Sequence, residues 1–477
     1  MRLILILIFS TISGYSVFSQ SIIKEPYLLY PDDNTKMTIM WQANSSGTAT
    51  FSWGETETYE NSVIVSEYGN DHQFTYTLIN LTPQQKYYYK VELGSAIKTG
   101  SFITAPDSNN QNLTFFIYGD TKLHPEIQNM VTGRILTEIN NDPDAQSFCL
   151  FTGDAVNIGN VESEWQDQFF NTAYSNNNTL KSKLPYILVR GNHENINSNY
   201  LSENATVFYK YWPYSFASGS SDGDDMYHSF DYGPVHIAVL DQYDNGTFDT
   251  AQISTTQLSW LENDLASSNK EWKFILLHEP GWSAKSISKS EHENNSDIQN
   301  NIQPLCIQYN IKAVFGGHNH YYAHCIVDNV NHFTLGGGGA PLYSPSYTSG
   351  GVIVYAESAY HFMKVQIQED TAVFKAIKPD GSIIETTKIG LSGSNKINYI
   401  NKRVKIYPNP SSGIYTIQTK NLIKGIITVF DITGQKKSDC QITSNKQTVN
   451  LSNFSKGIYF LKIKKKNIVI QKRIILM

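Results

Sequence analysis

Five short apolar runs in the middle of the chain each break into a polar turn. Residues 113–118 run into Gly119-Asp120, 148–151 into Gly153-Asp154, 184–189 into Gly191-Asn192-His193-Glu194, 274–277 into His278, and 313–315 into Gly316-Gly317-His318-Asn319-His320. Short apolar runs closed by glycine predict buried strands. Helical stretches are predicted over 125–140, 162–173, 254–267 and 297–309. Strands alternating with helices predict an α/β (α+β) layered domain with its helices outside. Residues 227–232 and 235–240 predict a hairpin that turns at Gly233-Pro234 and extends the sheet. Sheets of this kind place ligand sites at the carboxyl ends of their strands. Here those ends deliver Asp, Asp, Asn, His and a His-x-His pair to one edge of a sheet.

On either side the pattern changes to strands without helices. Residues 22–105 alternate β-rich runs (38–42, 48–53, 74–78, 86–93 and 99–104) with turn residues, which predicts a small β-sandwich. The polar linker Ala105-Pro106-Asp107-Ser108-Asn109-Asn110 follows it. From Val404 the chain is strand-rich again, and basic. The net charge of −6 hides this asymmetry: 16 Lys/Arg stand against Asp431 and Asp439 from Lys396 onward, which leaves an acidic remainder and puts a boundary near residue 395. Basic charge alone suggests an anionic partner. Lys462 and Lys464, however, alternate with apolar residues as a half-exposed strand requires, so no nucleic-acid partner is predicted.

At 477 residues the chain has room for about three domains. Its opening residues, Arg2, an apolar 3–9 and then small and polar residues to Ser19, have the layout of a cleaved signal peptide over 1–19. That apolar run is far short of the roughly 20 residues a membrane span needs, so no transmembrane segment is predicted. Of four cysteines, Cys149 falls in a predicted buried strand, and Cys306 with Cys325 is the one candidate pairing. The acidic stretch 218–225 lacks the glycine and terminal glutamate of an EF-hand loop and reads as a solvated turn. The glycine run 336–339 lacks the Lys-Ser/Thr of a phosphate-cradling loop and reads as a flexible turn beside the site.

Carboxylate, amide oxygen and imidazole together form a ligand set for hard divalent or trivalent ions. Two such ions about 3.5–4 Å apart need an anionic bridge between them. The series Gly119-Asp120, Gly153-Asp154, Gly191-Asn192-His193-Glu194, Leu277-His278 and Gly317-His318-Asn319-His320 resembles the calcineurin-like metallophosphoesterase superfamily. Leu81-Thr82-Pro83 before Tyr87-Tyr88-Tyr89 resembles the corner of a fibronectin type III-like domain, which makes the chain most similar to the purple acid phosphatase branch.

The resemblance implies a four-layer β-sandwich flanked by helices over 112–390, preceded by the fibronectin-like domain at 22–105. It implies two transition-metal ions (Fe, Mn or Zn) bridged by Asp154, with Asp120 and His320 on one and Asn192, His278 and His318 on the other. His193 is then placed to hydrogen-bond the phosphate or protonate the leaving oxygen, the alternative being that it orients Asp120 or Glu194. Glu194 supports the ligands rather than joining them. Two positions depart from the branch pattern. Asn157 stands where the family has a tyrosine ligand, so the protein is expected to be colourless; Asn157 either ligates or caps a turn. Lys122 occupies a position where related sequences have Gly or a metal-binding His; it attracts the substrate phosphate or is a plain surface lysine. His292, in the loop after His278, is a candidate substrate contact.

Tyr407-Pro408-Asn409-Pro410, Gly413, the run 429–435 and the closing basic strand resemble the C-terminal sorting domain of the bacterial type IX secretion system, over 404–477. That implies recognition by the secretion machinery and a secreted or outer-surface location. The combined expectation is an exported phosphatase acting on small phosphate monoesters. The alternatives are a phosphodiesterase or nucleotidase on the same site, and an inactive surface-binding protein.

Overall fold

The computed structural model describes residues 20–199, 206–214, 227–244, 251–285, 292–391, 404–419, 424–431, 435–465 and 468–477. The expected signal peptide and the acidic turn 218–225 lie outside these residues. The chain divides into two compact units, one ending at Ile389 and the other beginning at Gly390.

The first unit begins with a β-sandwich. A three-stranded sheet, Ile22–Leu29, Met37–Ala43 and Gln73–Leu78, accompanies a four-stranded one in the order Asn61–Ser66, Thr48–Gly54, Lys86–Leu93, Ala96–Ile103. Their alternating apolar residues meet in a core centred on Trp41, stacked 6.0 Å from Phe51 and 5.4 Å from Phe74. The Tyr87 hydroxyl accepts the Thr82 N–H at 3.0 Å and closes the corner at Leu81-Thr82-Pro83. Two of these strands escape the sequence pattern. Lys24, Glu25 and Pro26 interrupt Ile22–Leu29, and Asn61–Ser66 is a largely exposed edge.

Two mixed sheets follow. The first has the order Tyr186–Leu188, Cys149–Phe151, Asn112–Tyr118, Phe362–Gln368, Thr371–Ile377, Ile383–Gly390, and its first three strands are parallel. The second runs His228–Tyr232, Val235–Val239, Trp272–Leu276, Ala313–Gly316, Val330–Leu335, Tyr322–Val327, Ile353–Glu357. It is parallel from Val235–Val239 through Val330–Leu335. Aromatic side chains join the two faces: Phe115 lies 5.9 Å from Phe274, and Phe374 lies 5.4 Å from Phe333. The five runs that carry the candidate ligands therefore do not share one sheet, as the sequence pattern suggested. Three belong to the first and two to the second, because buried apolar runs look alike whichever sheet they join.

The helices cover the sheets. Pro125–Asn141 starts with proline, and Thr255–Ser267 is capped by Ser254 Oγ, which accepts the Gln257 N–H at 3.1 Å. The predicted 162–173 helix is shorter, a turn Glu162–Glu164 leading into a wide-turn segment Trp165–Phe169. It stops there because Phe169 and Phe170 turn into the aromatic cluster with Trp165 and Trp212. The predicted 297–309 helix is continuous, a wide-turn segment Ile298–Ile302 running directly into Gln303–Gln308 beside Pro304, which has no N–H for the regular ladder. All four cysteines are free, Cys306 and Cys325 included. Cys306 is held in the apolar cluster with Ile302, Ile311 and Val314, to which Cys325 does not belong.

The second unit is a smaller β-sandwich of a three-stranded sheet (Val404–Tyr407, Ile414–Thr419, Lys446–Asn450) and a four-stranded one (Lys436–Gln441, Ile426–Asp431, Gly457–Lys465, Ile468–Leu476). In Gly457–Lys465, Leu461 and Ile463 are buried while Lys462 and Lys464 are exposed, so the basic residues are the solvent face of a packed strand. Among the described residues no helix is long and apolar enough to cross a membrane.

Candidate metal centre

The parallel strands of both sheets end at the same rim, and each end is a tight turn. Asp120, Asp154 and His318 all sit in the left-handed backbone region, with φ of 56°, 58° and 65°. Residues other than glycine rarely adopt it, so the surrounding structure has to hold them there. Asp120 N–H donates to Gly153 O (2.9 Å), Thr121 N–H to Asp154 O (3.0 Å) and Gly317 N–H to His278 O (2.7 Å), locking one turn onto the next. Glycine is required by space at two of these turns. A Cβ on Gly191 would lie 2.3 Å from Asp154 Oδ1, and one on Gly317 would lie 2.2 Å from Asp120 Oδ2. The run Gly336–Gly339, expected to be a flexible turn, is buried; Gly338 N–H donates to Gly119 O at 2.9 Å and braces the Asp120 turn from behind.

This construction gathers two overlapping donor groups. Asp154, His278 and His318 offer ligand atoms within 4.8 Å of one another, and so do Asp120, Asp154 and His320. Asp154 is common to both. The Asn192 side-chain oxygen joins the first group, 3.1 Å from His278 Nε2 and 3.3 Å from His318 Nδ1. His278 Nδ1 is tied to the Thr152 carbonyl at 2.6 Å and His320 Nδ1 to the Pro341 carbonyl at 2.9 Å. A carbonyl only accepts, so in both rings Nδ1 carries the proton and Nε2 is left as a lone-pair donor, the arrangement a metal ligand needs. Tyr343 stacks on His320 with ring centres 4.2 Å apart.

The electrostatics suit a cation. Burial, with the neighbouring Asp154 charge, holds Asp120 well above the usual carboxylate range. Asp154 itself lies well below it, because Lys122 and His278 outweigh the opposing push of burial. Burial also holds His318 and His320 well below the usual imidazole value, so both are neutral and able to donate. Among the described residues, Asp120 Oδ2 and His320 Nε2 are buried without a hydrogen-bond partner. Buried polar atoms are normally satisfied. The donor set and its unmet capacity therefore fit a bound metal.

Around the donors, Glu194 accepts N–H bonds from Asp154 (3.0 Å), Ala155 (2.8 Å) and Gly191 (2.7 Å). Its own value is pushed up to about 7 by burial and the Asp154 charge. His193 Nδ1 donates to the Asn157 carbonyl at 2.6 Å, and its backbone N–H donates to Asp154 Oδ1 at 3.1 Å. Asn157 thus reaches His193 through its carbonyl, while its N–H goes to Gln168 Oε1 at 3.0 Å. Lys122 is no surface lysine: it is buried and its ammonium donates to Asp154 Oδ2. His292 packs against His318 and Tyr343, with ring centres at 4.4 and 4.8 Å.

Other contributors went unnoticed in the sequence. Arg190, just before Gly191, makes a two-pronged buried ion pair with Asp241 and donates to Tyr209 Oη at 2.9 Å. Gln242 Oε1 accepts the backbone N–H groups of His278 (2.9 Å) and Glu279 (2.7 Å). The signal was present, since Asp241-Gln242 also follows an apolar strand. Neither residue matched a motif.

The two mixed sheets thus present candidate metal-ligand groups at their shared rim. Residues 114–322 match the calcineurin-like phosphoesterase family, and 405–477 match the secretion system C-terminal sorting domain. The chain thus carries a calcineurin-like metallophosphoesterase domain followed by a sorting domain, and the latter marks it for export to the cell surface or the medium. It is 26% identical over 279 residues to a purple acid phosphatase of Glycine max, covering 57% of this chain and 56% of that protein. It is 26% identical over 313 residues to an Arabidopsis thaliana protein named "Probable purple acid phosphatase 20", covering 62% of this chain and 66% of that one. The chain therefore spans less than two thirds of these relatives' length. The fold resembles the purple acid phosphatase PPD1 of yellow lupin, Lupinus luteus (TM-score 0.61, 17% identity, 76% of this chain and 74% of that one). It also resembles PhoD (TM-score 0.57, 13% identity, 88% and 93%).

Proposed function

We propose that this chain is an exported phosphoric ester hydrolase that cleaves small phosphate monoesters at a pair of transition-metal ions. In this reading Asp154 is shared, Asp120 and His320 complete one half of the site, and Asn192, His278 and His318 complete the other. The observation that carries it is the overlap of two donor groups on one buried carboxylate, beside two buried polar atoms that have no hydrogen-bond partner among the described residues. When bound, such ions activate water as the nucleophile and offset the charge of the phosphoryl oxygens.

The chain's own residues do the rest. The Thr152 and Pro341 carbonyls fix the His278 and His320 rings and keep Nε2 of each as the donor atom. Glu194 holds the Asp154 and Gly191 turns together through their N–H groups. His193 is oriented by the Asn157 carbonyl, which takes the Nδ1 proton, so only as the imidazolium, with Nε2 protonated as well, does it hydrogen-bond a phosphoryl oxygen or pass a proton to the leaving oxygen. His292 and Tyr343 form an aromatic wall beside His318 and His320, which helps exclude water.

Elemental analysis of the purified protein, with rates on an aryl phosphate and a bis-aryl phosphate, tests this reading. The expected result is at least one tightly held transition metal per chain, turnover lost on chelation and restored by Mn, Zn or Fe, and the faster rate on the monoester. A faster diester rate makes the chain a phosphodiesterase. Less than one metal per chain, with no turnover in added metal, overturns the hydrolase reading in favour of a surface-binding protein.

A further inference from the structure

The two donor groups around Asp154 are not equivalent. Asp154 Oδ1 faces His278 Nε2 at 3.4 Å and accepts the His193 N–H, and on that side four side chains converge: Asp154, Asn192, His278 and His318. Asp154 Oδ2 is already taken by the Lys122 ammonium. Lys122 is only 6% exposed, and its position is not casual. Its backbone N–H donates to Asp154 O at 3.3 Å, and that of Thr121 does so at 3.0 Å. The lysine is thereby anchored to the turn whose carboxylate it touches. The other group offers three donors, Asp120, Asp154 and His320. One of those three carries a buried, charge-assisted bond from a cation supplied by the chain itself.

We infer that Lys122 is a built-in cation of the Asp120–Asp154–His320 half, competing with a metal ion for Asp154 Oδ2, so that the centre holds one ion tightly on the Asn192–His278–His318 side and a second only weakly. The inference rests on the hydrolase reading above. An ammonium is a compact point charge on a flexible stem, so it can give way to an ion without leaving the pocket. The ion that displaces it must approach a like charge in a poorly screened interior. With a single ion bound, Lys122 keeps the far side of Asp154 positive and takes over part of the charge balance that a second ion would otherwise provide.

Metal stoichiometry tests this independently of turnover. The chain is stripped with chelator and titrated with Mn²⁺ and with Zn²⁺ by calorimetry, and the metal retained after gel filtration is measured. The same is done for Lys122→Met, which keeps the stem without the charge, and for Lys122→Arg, which keeps the charge; a thermal melt of each variant checks that it is folded. The wild-type chain and Lys122→Arg are expected to retain one ion. Lys122→Met is expected to retain two, its second-site affinity rising at least about tenfold. Two ions of equal affinity in the wild-type chain, unchanged in Lys122→Met, overturn the inference and leave the hydrolase reading standing. No metal bound by wild type or by any variant removes both.

Discussion

Two clusters in the first unit set a buried histidine against aspartate, and they treat their polar atoms in opposite ways. In the His236 cluster every capacity is used: Nδ1 lies 2.8 Å from Asp231 Oδ1, Nε2 lies 2.9 Å from Asp264 Oδ2, and Lys270 adds a charge 3.5 Å from Asp231. Both ring nitrogens donate to carboxylates, so the ring is an imidazolium. Around Asp154, His318 and His320 are neutral, and Asp120 Oδ2 and His320 Nε2 have no hydrogen-bond partner among the described residues. The same residue types thus make an internal ion pair in one place and an open candidate ligand set in the other. What separates them is unmet polar capacity, which stabilising clusters lack and binding sites keep.

That contrast predicts opposite responses to substitution. The largest effect is on turnover. Asn192→Ala or His278→Ala should lower kcat/KM by about 10³-fold or more, roughly 4 kcal/mol of transition-state stabilisation, while circular dichroism shows the metal-free chain still folded. His236→Gln should leave turnover near wild type and lower stability instead.

The sign of the His236 effect follows from its titration. Burial alone lowers its pKa, but its hydrogen bonds to Asp231 and Asp264 raise it to about 9, above the unfolded value near 6.5. Its contribution is therefore complete below about pH 6.5 and is lost as pH rises through 9. Denaturant melts of wild type and His236→Gln should differ by about 3 kcal/mol at pH 6 and converge by about pH 10. An equal gap at both ends would remove the imidazolium from the account.

The smallest effect is the most discriminating. Because Asp120 is held well above the usual carboxylate range by burial and by Asp154, ionising it in the folded metal-free chain costs stability, and the cost grows as pH rises above the unfolded value near 4. Asp120→Asn should stabilise the metal-free protein by an amount on the order of 1 kcal/mol at pH 8, with little gain at pH 4. In saturating metal the order should reverse, because the variant loses a ligand. A variant less stable in both states would make Asp120 a structural residue like Asp264.

Much of this candidate site is legible in the sequence because each proposed ligand follows a strand directly. Gly119-Asp120, Gly153-Asp154 and Gly191-Asn192 are local signals: the glycine that lets two turns touch is adjacent to the residue that uses the contact. The division of the strands between two sheets is not legible, since burial on both faces erases the alternation that distinguishes one sheet from another. The destination of Lys122 is equally hidden, because its partner Asp154 is 32 residues away and no local pattern encodes the pairing. Arg190 and Asp241 are separated by 51 residues for the same reason. One helix length failed where side chains overrode propensity, at Phe169-Phe170.

The central claim is that Asp154 stands at the heart of a metal site built from the ends of both sheets. Anomalous-difference density from a crystal of the full chain soaked in Mn²⁺ or Zn²⁺ tests it most directly. The account predicts a peak roughly 2.0–2.2 Å from Asp154, His278 and His318, with a weaker one toward Asp120 and His320. A saturated soak that leaves Asp154 without any peak in coordination range, or that puts the metal elsewhere on the chain, would contradict it.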